Sequence, residues 1–183
     1  MKEMRPARDT GRPGAGPAVG VRPLAPGDGP ALRGMLDRLS GEAIHKRFHT
    51  PYPSVPGWML EHIMGHRDGA SLVAVAGGEV VGHAMYARED DRAAEAAILV
   101  EDAWQSGGVG KLLLAELARG AAGRGVEAFT GVALGENRRV LALVDAVFDG
   151  AEYRVTDGLY DIRMPLKGLR SPARAEREFR PAA

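Results

Sequence analysis

The run Ile98-Leu99-Val100-Glu101-Asp102-Ala103-Trp104-Gln105-Ser106-Gly107-Gly108-Val109-Gly110-Lys111 carries a short apolar strand through a glycine-rich turn straight into a helical pattern. A junction of this kind binds anions. Amides of the turn and of the first helical turn have no internal acceptor, and the helix dipole adds partial positive charge at the same place. Bare backbone at Gly108 and Gly110 lets an anion approach the main chain. Each N–H given to a charged oxygen contributes about 1.5–3 kcal/mol. The amides from Ser106 through Gly107, Val109 and onward can therefore hold a pyrophosphate without a basic patch, with Lys111 adding a point charge.

Two commoner phosphate motifs fail on spacing. A P-loop requires glycine where Gln105 stands and Ser or Thr where Leu112 stands. A dinucleotide fingerprint requires a small residue at the place of Leu113. What remains is Gln105-x-x-Gly108-x-Gly110.

Outward from this junction the hydrophobic period alternates between two and 3.6. Gly20–Leu24 reads as a strand, followed by a helix over about Pro30–Leu39 capped by Asp28 and a second over about Pro56–Met64 closed by Gly65. Ser71–Ala76 and Glu79–Tyr86 form a hairpin about Gly77-Gly78, because tight two-residue turns need positive φ at both positions. Strand Ala94–Val100, helix Lys111–Ala122, strand Val126–Ala133, helix Asn137–Val147 and a last hairpin about Asp157-Gly158 complete the order β-α-α-β-β-β-α-β-α-β-β. Residues 1–19 are rich in Gly and Pro and residues 167–183 in Arg, Pro and Ala. Both are expected to be flexible tails around a folded unit at 20–166.

Composition excludes several classes. With no Cys among 183 residues there is no disulfide scaffold, thiolate nucleophile or cysteine-based metal centre. No stretch of about 18 apolar residues reads as a membrane span, and the amino terminus lacks a signal-peptide core, so a cytoplasmic location and no membrane partner are expected. Formal net charge is zero, but the two tails hold nine basic and four acidic residues, leaving the body near −5. That offers no footprint for nucleic acid and suits a cationic partner better.

The Gln105-x-x-Gly108-x-Gly110 motif behind Ile98-Leu99-Val100 resembles the central motif of the GNAT superfamily of acyl-CoA-dependent N-acyltransferases, and the resemblance spans residues 20–166. Leu39-Ser40-Gly41-Glu42-Ala43-Ile44-His45-Lys46-Arg47-Phe48 and Ala94–Val100 look most like bacterial Pat-type protein lysine acetyltransferases. The resemblance implies an α/β three-layer fold, with a mixed, mostly antiparallel twisted sheet flanked by helices on both faces. It implies acetyl-CoA as co-substrate, no metal, and an amine acceptor that is a protein lysine or a small molecule. The chain is expected to be a monomer or homodimer.

Site residues follow from the matching positions. Glu95 matches a glutamate base, and a lone carboxylate among alanines on an apolar strand is costly to bury without a task. His83 is the alternative base, or else a satisfied interior histidine. The motif implies that Ile98, Leu99 and Val100 offer backbone to the thioester arm, with an N–H near Leu99 facing the thioester carbonyl, and that the strands ending at Val100 and Ala133 diverge to admit it. Asn137 matches a position that bonds the arm, and it also reads as a helix cap. The tyrosine expected to protonate the leaving thiolate is replaced by Val144, and the usual Gly-Phe after the last helix by Val147-Phe148-Asp149-Gly150, which shifts the helix end. His62 and His66 share a helix face, but no third ligand accompanies them. The missing tyrosine leaves room for a second function, a catalytically silent acyl-CoA sensor; acetylation of a protein N-terminus is a third.

Overall fold

The computed structural model describes residues 17–48, 55–65 and 68–170. Of the tails expected at 1–19 and 167–183, residues 1–16 and 171–183 lie outside these residues, as does His66. Seven strands form one sheet in the order β1-β2-β3-β4-β5-β7-β6. They are β1 (Val19–Pro23), β2 (Gly69–Ala76), β3 (Glu79–Arg88), β4 (Ala93–Val100), β5 (Ala128–Leu134), β6 (Glu152–Thr156) and β7 (Leu159–Pro165). All neighbours are antiparallel except β4 and β5. The mixed, mostly antiparallel sheet expected from the sequence is therefore present.

The turns follow from their residues. Gly77 and Gly78 have φ of +57° and +86°, and Asp157 and Gly158 have +50° and +80°. Both pairs supply the left-handed backbone that matches the twist of a two-residue hairpin.

Helices α1 (Gly29–Asp37), α2 (Gly41–Phe48) and α3 (Gly57–Gly65) cover one face of the sheet, and α4 (Val109–Ala122) and α5 (Arg138–Val147) the other. Each face has its own core. Leu32, Met35 and Leu36 of α1 pack with Val73, Met85 and Leu99, whereas Leu113 and Leu117 of α4 pack with Val81, Tyr86 and Phe129. Tyr86 and Phe129 meet with ring centroids 5.5 Å apart. Truncating such a fully buried leucine costs about 2–5 kcal/mol, which makes the α4 contact a large part of the fold's stability.

Three local details differ from the sequence reading. The connection 40–48 holds an extra helix, α2. It buries only Ala43 and Ile44, too few apolar positions to show a period, and is held instead by Ser40 Oγ accepting from the Ala43 amide and by the Lys46–Glu42 pair. Asp28 does not cap α1; its carboxylate accepts from the Ala25 amide at 2.7 Å and takes both guanidinium nitrogens of Arg22 at 2.6 and 2.8 Å. Ordered contacts also continue past Leu166: the amide of Asp149 donates to Gly168 at 2.7 Å and that of Arg170 to Val147 at 2.9 Å. Helix α5 stops at Val147 without a glycine, because Phe148 turns extended and buries its ring.

Candidate active site

β4 and β5 pair in register only at Ala93–Ala128, Ala94–Phe129 and Glu95–Thr130, then part. β4 stays bonded to β3 up to Val100 while β5 stays bonded to β7 up to Leu134, so a wedge opens between them. The expected divergence is thus present. Gly131 sits at its apex, where a Cβ would stand 3.4 Å from the Ala96 carbonyl oxygen.

The direction of each β4 backbone group follows from alternation in an antiparallel ladder. Glu101 donates its amide to Val81 at 3.0 Å, and Leu99 pairs with His83, Ala97 with Met85 and Glu95 with Ala87. Odd residues thereby commit their amides to β3. Ile98 and Val100 direct theirs into the wedge. The expectation of an N–H near Leu99 is sharpened: the amide of Leu99 itself is turned to β3, and its two neighbours are the ones that face the gap.

Side chains divide the same way. Ala94, Ala96, Ile98 and Val100 belong to the α4–α5 core, and Ala97 and Leu99 to the α1–α3 core. Glu95 shares the parity of the second set and faces α2.

The turn after β4 is built as an amide cradle. Ser106 has φ +64°, an unusual value outside glycine, and Gly108, the residue capping α4, has φ +88°. The first bond of α4 runs from the Leu112 amide to the Gly108 carbonyl at 3.0 Å, and the amides of Ser106 to Gly110 find no backbone acceptor among the described residues. Left-handed residues in such a turn point successive N–H groups into one concavity. Gln105 ties the cradle to its surroundings. Its Nε2 donates to the Val100 carbonyl at 3.1 Å, and its Oε1 accepts from Arg139 at 2.9 Å. On the far side, Arg38 and Glu101 pair at 3.0 Å, and Asp102 accepts from the Ser40 hydroxyl at 2.7 Å and the Ser40 amide at 3.0 Å, fixing the turn to the start of α2.

One cavity of about 980 Å³ joins cradle and wedge. Glu95, Ile98, Leu99 and Val100 enter it from β4, Gln105, Ser106 and Gly108 from the turn, Gly110 and Lys111 from α4, and Asn137 from the start of α5. Two expected residues do not line it: Val109 is buried in the core beneath the cradle, and Gly107 is half-buried in the turn, where a Cβ would stand 3.6 Å from the Trp104 carbonyl oxygen. The bareness of Gly110 also serves packing. A Cβ there would meet Leu143 at 3.4 Å and Ile98 at 3.7 Å, both in the cavity wall, where α4 packs on α5. Asn137 does cap α5, accepting from the Val140 amide at 3.4 Å, a long bond that leaves its side chain in the cavity wall.

Glu95 is exposed to the cavity, so the cost of burying it is no argument for its role; its position is. His83 is the satisfied interior histidine. It is buried, its Nε2 lies 2.7 Å from Ser71 Oγ, and burial followed by the charge of Arg47 pushes its pKa down to about 3. It does not line the cavity. Among the described residues no tyrosine lines it either, and Val144 is part of its wall. Among those residues no three His, Asp or Glu come together as metal ligands would, and no helix is long and apolar enough to cross a membrane.

The sequence reading missed Arg47 as a cavity residue. This half-buried guanidinium on α2 lies over the Phe48 ring, 4.9 Å from its centroid, close enough to Glu95 for the two charges to act on each other. Desolvation lowers its proton affinity and Glu95 opposes that. The resemblance at Leu39–Phe48 includes it but gives it no role, since its significance comes from where α2 lies on the sheet.

A splayed parallel pair flanked by an amide-lined turn and a helix is the arrangement of the acetyltransferase fold, and the chain belongs to the Acetyltransferase (GNAT) family, whose pattern matches residues 39–146. Among solved structures it is similar to the GNAT domain of S. lividans PAT, at 28% identity over 79% of this chain and 89% of that one, with a TM-score of 0.73. It shares the fold of a GNAT superfamily phosphinothricin acetyltransferase from Sinorhizobium meliloti in complex with AcCoA (19% identity, 80% and 88% covered, TM-score 0.64). It shares it also with spermidine N-acetyltransferase from Vibrio cholerae in complex with CoA and spermine (15% identity, 82% and 96% covered, TM-score 0.61).

Proposed function

We propose that the chain is an acetyl-CoA-dependent N-acetyltransferase that acts in a ternary complex on a primary amine, of a protein lysine or of a small molecule. The observation that carries this reading is the opposite parity on β4: amides of Ile98 and Val100 open into the wedge, and Glu95 faces the opposite helical layer within the same cavity.

The cavity fits the coenzyme's chemistry. The amides of Ser106 to Gly110 suit the diphosphate, and the unpaired backbone of Ile98 and Val100 suits the amide-bearing arm. The Asn137 side chain, in the cavity wall, suits the same arm. Acetyl-CoA supplies an acyl group on a thioester. The N–H of Ile98 or Val100 stabilises negative charge developing on the carbonyl oxygen, in a wedge where such donors are fixed in advance. An amine of ordinary lysine pKa, about 10.4, must lose a proton at a cost of about 4–5 kcal/mol at neutral pH. Glu95 accepts that proton directly or through a water. The C–N bond forms, the C–S bond breaks, and the thiolate takes its proton from solvent, since Val144 offers none.

The test is thiol release from acetyl-CoA with a panel of amines, read beside calorimetry with coenzyme A. Glu95→Gln is expected to lower turnover by about 10²–10⁴ while coenzyme A affinity is kept. Tight binding without turnover in the unmodified protein favours the sensor reading, which the lack of a tyrosine donor supports. No binding at all ends both.

A further inference from the structure

Arg47 asks for a partner that the described residues do not provide. Other cations of the cavity wall are engaged: Lys46 with Glu42, Arg139 with Gln105. Arg47 is held by the Phe48 ring and by the field of Glu95, and among the described residues it makes neither a hydrogen bond nor a direct ion pair. A guanidinium keeps its charge and presents five N–H donors in a planar fork, and that of Arg47, in the cavity wall, has donors to offer a ligand there.

Its placement also bears on what can enter. An acceptor must bring its amine to Glu95, within reach of the Arg47 charge. A protein lysine arrives as an unbranched chain carrying only an ammonium, which Arg47 repels, and any acidic neighbour in that protein stays at the rim. A compact zwitterion brings its own counter-charge. The fork of Arg47 matches a carboxylate with two parallel N–H···O bonds. Phe48 and the exposed Trp58, both in the cavity wall, offer an apolar surface for a side chain beyond it.

We infer that the acceptor is a small α-amino acid with an apolar side chain, its carboxylate held by Arg47 while its amine is presented to Glu95. This rests on the acyl-transfer reading above. It makes Arg47 a determinant of specificity, acting on the group beside the reacting nitrogen.

The experiment uses matched pairs differing only in the carboxylate: L-phenylalanine against phenethylamine, and L-leucine against isoamylamine. With acetyl-CoA, the unmodified protein is expected to prefer the amino acid at least ten-fold in kcat/KM. In Arg47→Gln that ratio collapses toward one, mainly through KM of the amino acid, and Arg47→Lys restores part of it. A ratio near one in the unmodified protein, or one unaltered in Arg47→Gln, overturns the inference. So does equal binding of both members to the coenzyme A-loaded protein by calorimetry, a readout that needs no turnover and stands even if a variant folds poorly. Coenzyme A binding measured alone reads the acyl-transfer proposal separately: absence of its heat refutes that proposal, whereas its presence with no preference for the carboxylate refutes only this one.

Discussion

Replacing Gly108 and Gly110 separately by alanine tests whether the amide cradle works as the geometry says. Gly108 has φ +88° and ψ −4°, in the left-handed region where a Cβ costs about 1–2 kcal/mol. That strain has two places to appear. If the free protein keeps the turn, the variant loses about 1–2 kcal/mol of stability, some 2–8 °C in Tm for a chain of this size, and coenzyme A binds as before. If the free turn relaxes, Tm is spared and binding must restore the strained geometry, raising Kd about 5- to 30-fold. The two losses together should sum to the strain. Gly110→Ala behaves differently. Its new Cβ meets Leu143 at 3.4 Å and Ile98 at 3.7 Å, ordinary contact distances, and alanine gains about 0.5–1 kcal/mol of helix propensity over glycine. Tm should not fall and Kd should not rise. Calorimetry with coenzyme A and thermal unfolding of both variants decide the matter. If Gly110→Ala weakens binding as much as Gly108→Ala, the missing side chain makes room for the diphosphate after all; if Gly108→Ala costs nothing in either measurement, the cradle does not depend on the left-handed turn.

His83, with its pKa near 3 in the fold against about 6.5 unfolded, binds a proton first in the unfolded chain, so stability falls as pH drops from about 6.5 toward 3; urea midpoints against pH should flatten over that window in His83→Asn. The Arg22 guanidinium, then the Ala25 amide, hold Asp28 down to about 2, so its contribution is complete above about pH 4 and is lost as pH falls toward 2. Discounted for the exposure of Arg22, it is about 1 kcal/mol, and Asp28→Asn should remove it from the acid limb of the unfolding curve. Gly168→Ala would place a Cβ 1.9 Å from the Asp149 carbonyl oxygen and so break the bond between Asp149 and Gly168; a loss of at least about 2 kcal/mol in chemical unfolding is expected.

The parts of the fold legible in the sequence are those encoded within a few residues. Gly77-Gly78 and Asp157-Gly158 announce their hairpins through backbone freedom, and α4 shows its stripe through Leu113, Leu114 and Leu117. The junction at 98–111 is legible for the same reason, because its left-handed turn and unpaired amides are properties of the local backbone. Helix α2 was missed because two buried residues make no period. Asp28 was misassigned because a cap and a salt bridge use the same carboxylate, and only the fold brings Arg22 back to it. The placement of β7 between β5 and the edge strand β6 has no local signal either. Arg47 lies furthest from legibility, since it becomes a cavity residue only when α2 is laid across β4.

On the proposed function, the parity of β4 lets one short strand serve two substrates. In a pleated strand the groups that hydrogen-bond sideways and the side chains that stand up or down are set by the same count of two. With Leu99, Ala97 and Glu95 bonded to β3, the amides of Ile98 and Val100 necessarily open toward β5, and the side chains of the odd residues necessarily face α1, α2 and α3. In that reading, coenzyme and acceptor approach from directions fixed at right angles by the covalent chain, with no loop needed to align them. An inserted residue between Glu95 and Ile98 would reverse one direction relative to the other and take Glu95 out of the acceptor face while leaving the wedge intact. For the same reason, the short pairing of β4 with β5 matters more than any single side chain in the wedge. Each further rung of that ladder would consume an amide that the proposed chemistry needs free, so the separation after Glu95 and Thr130 is the structural condition that chemistry requires.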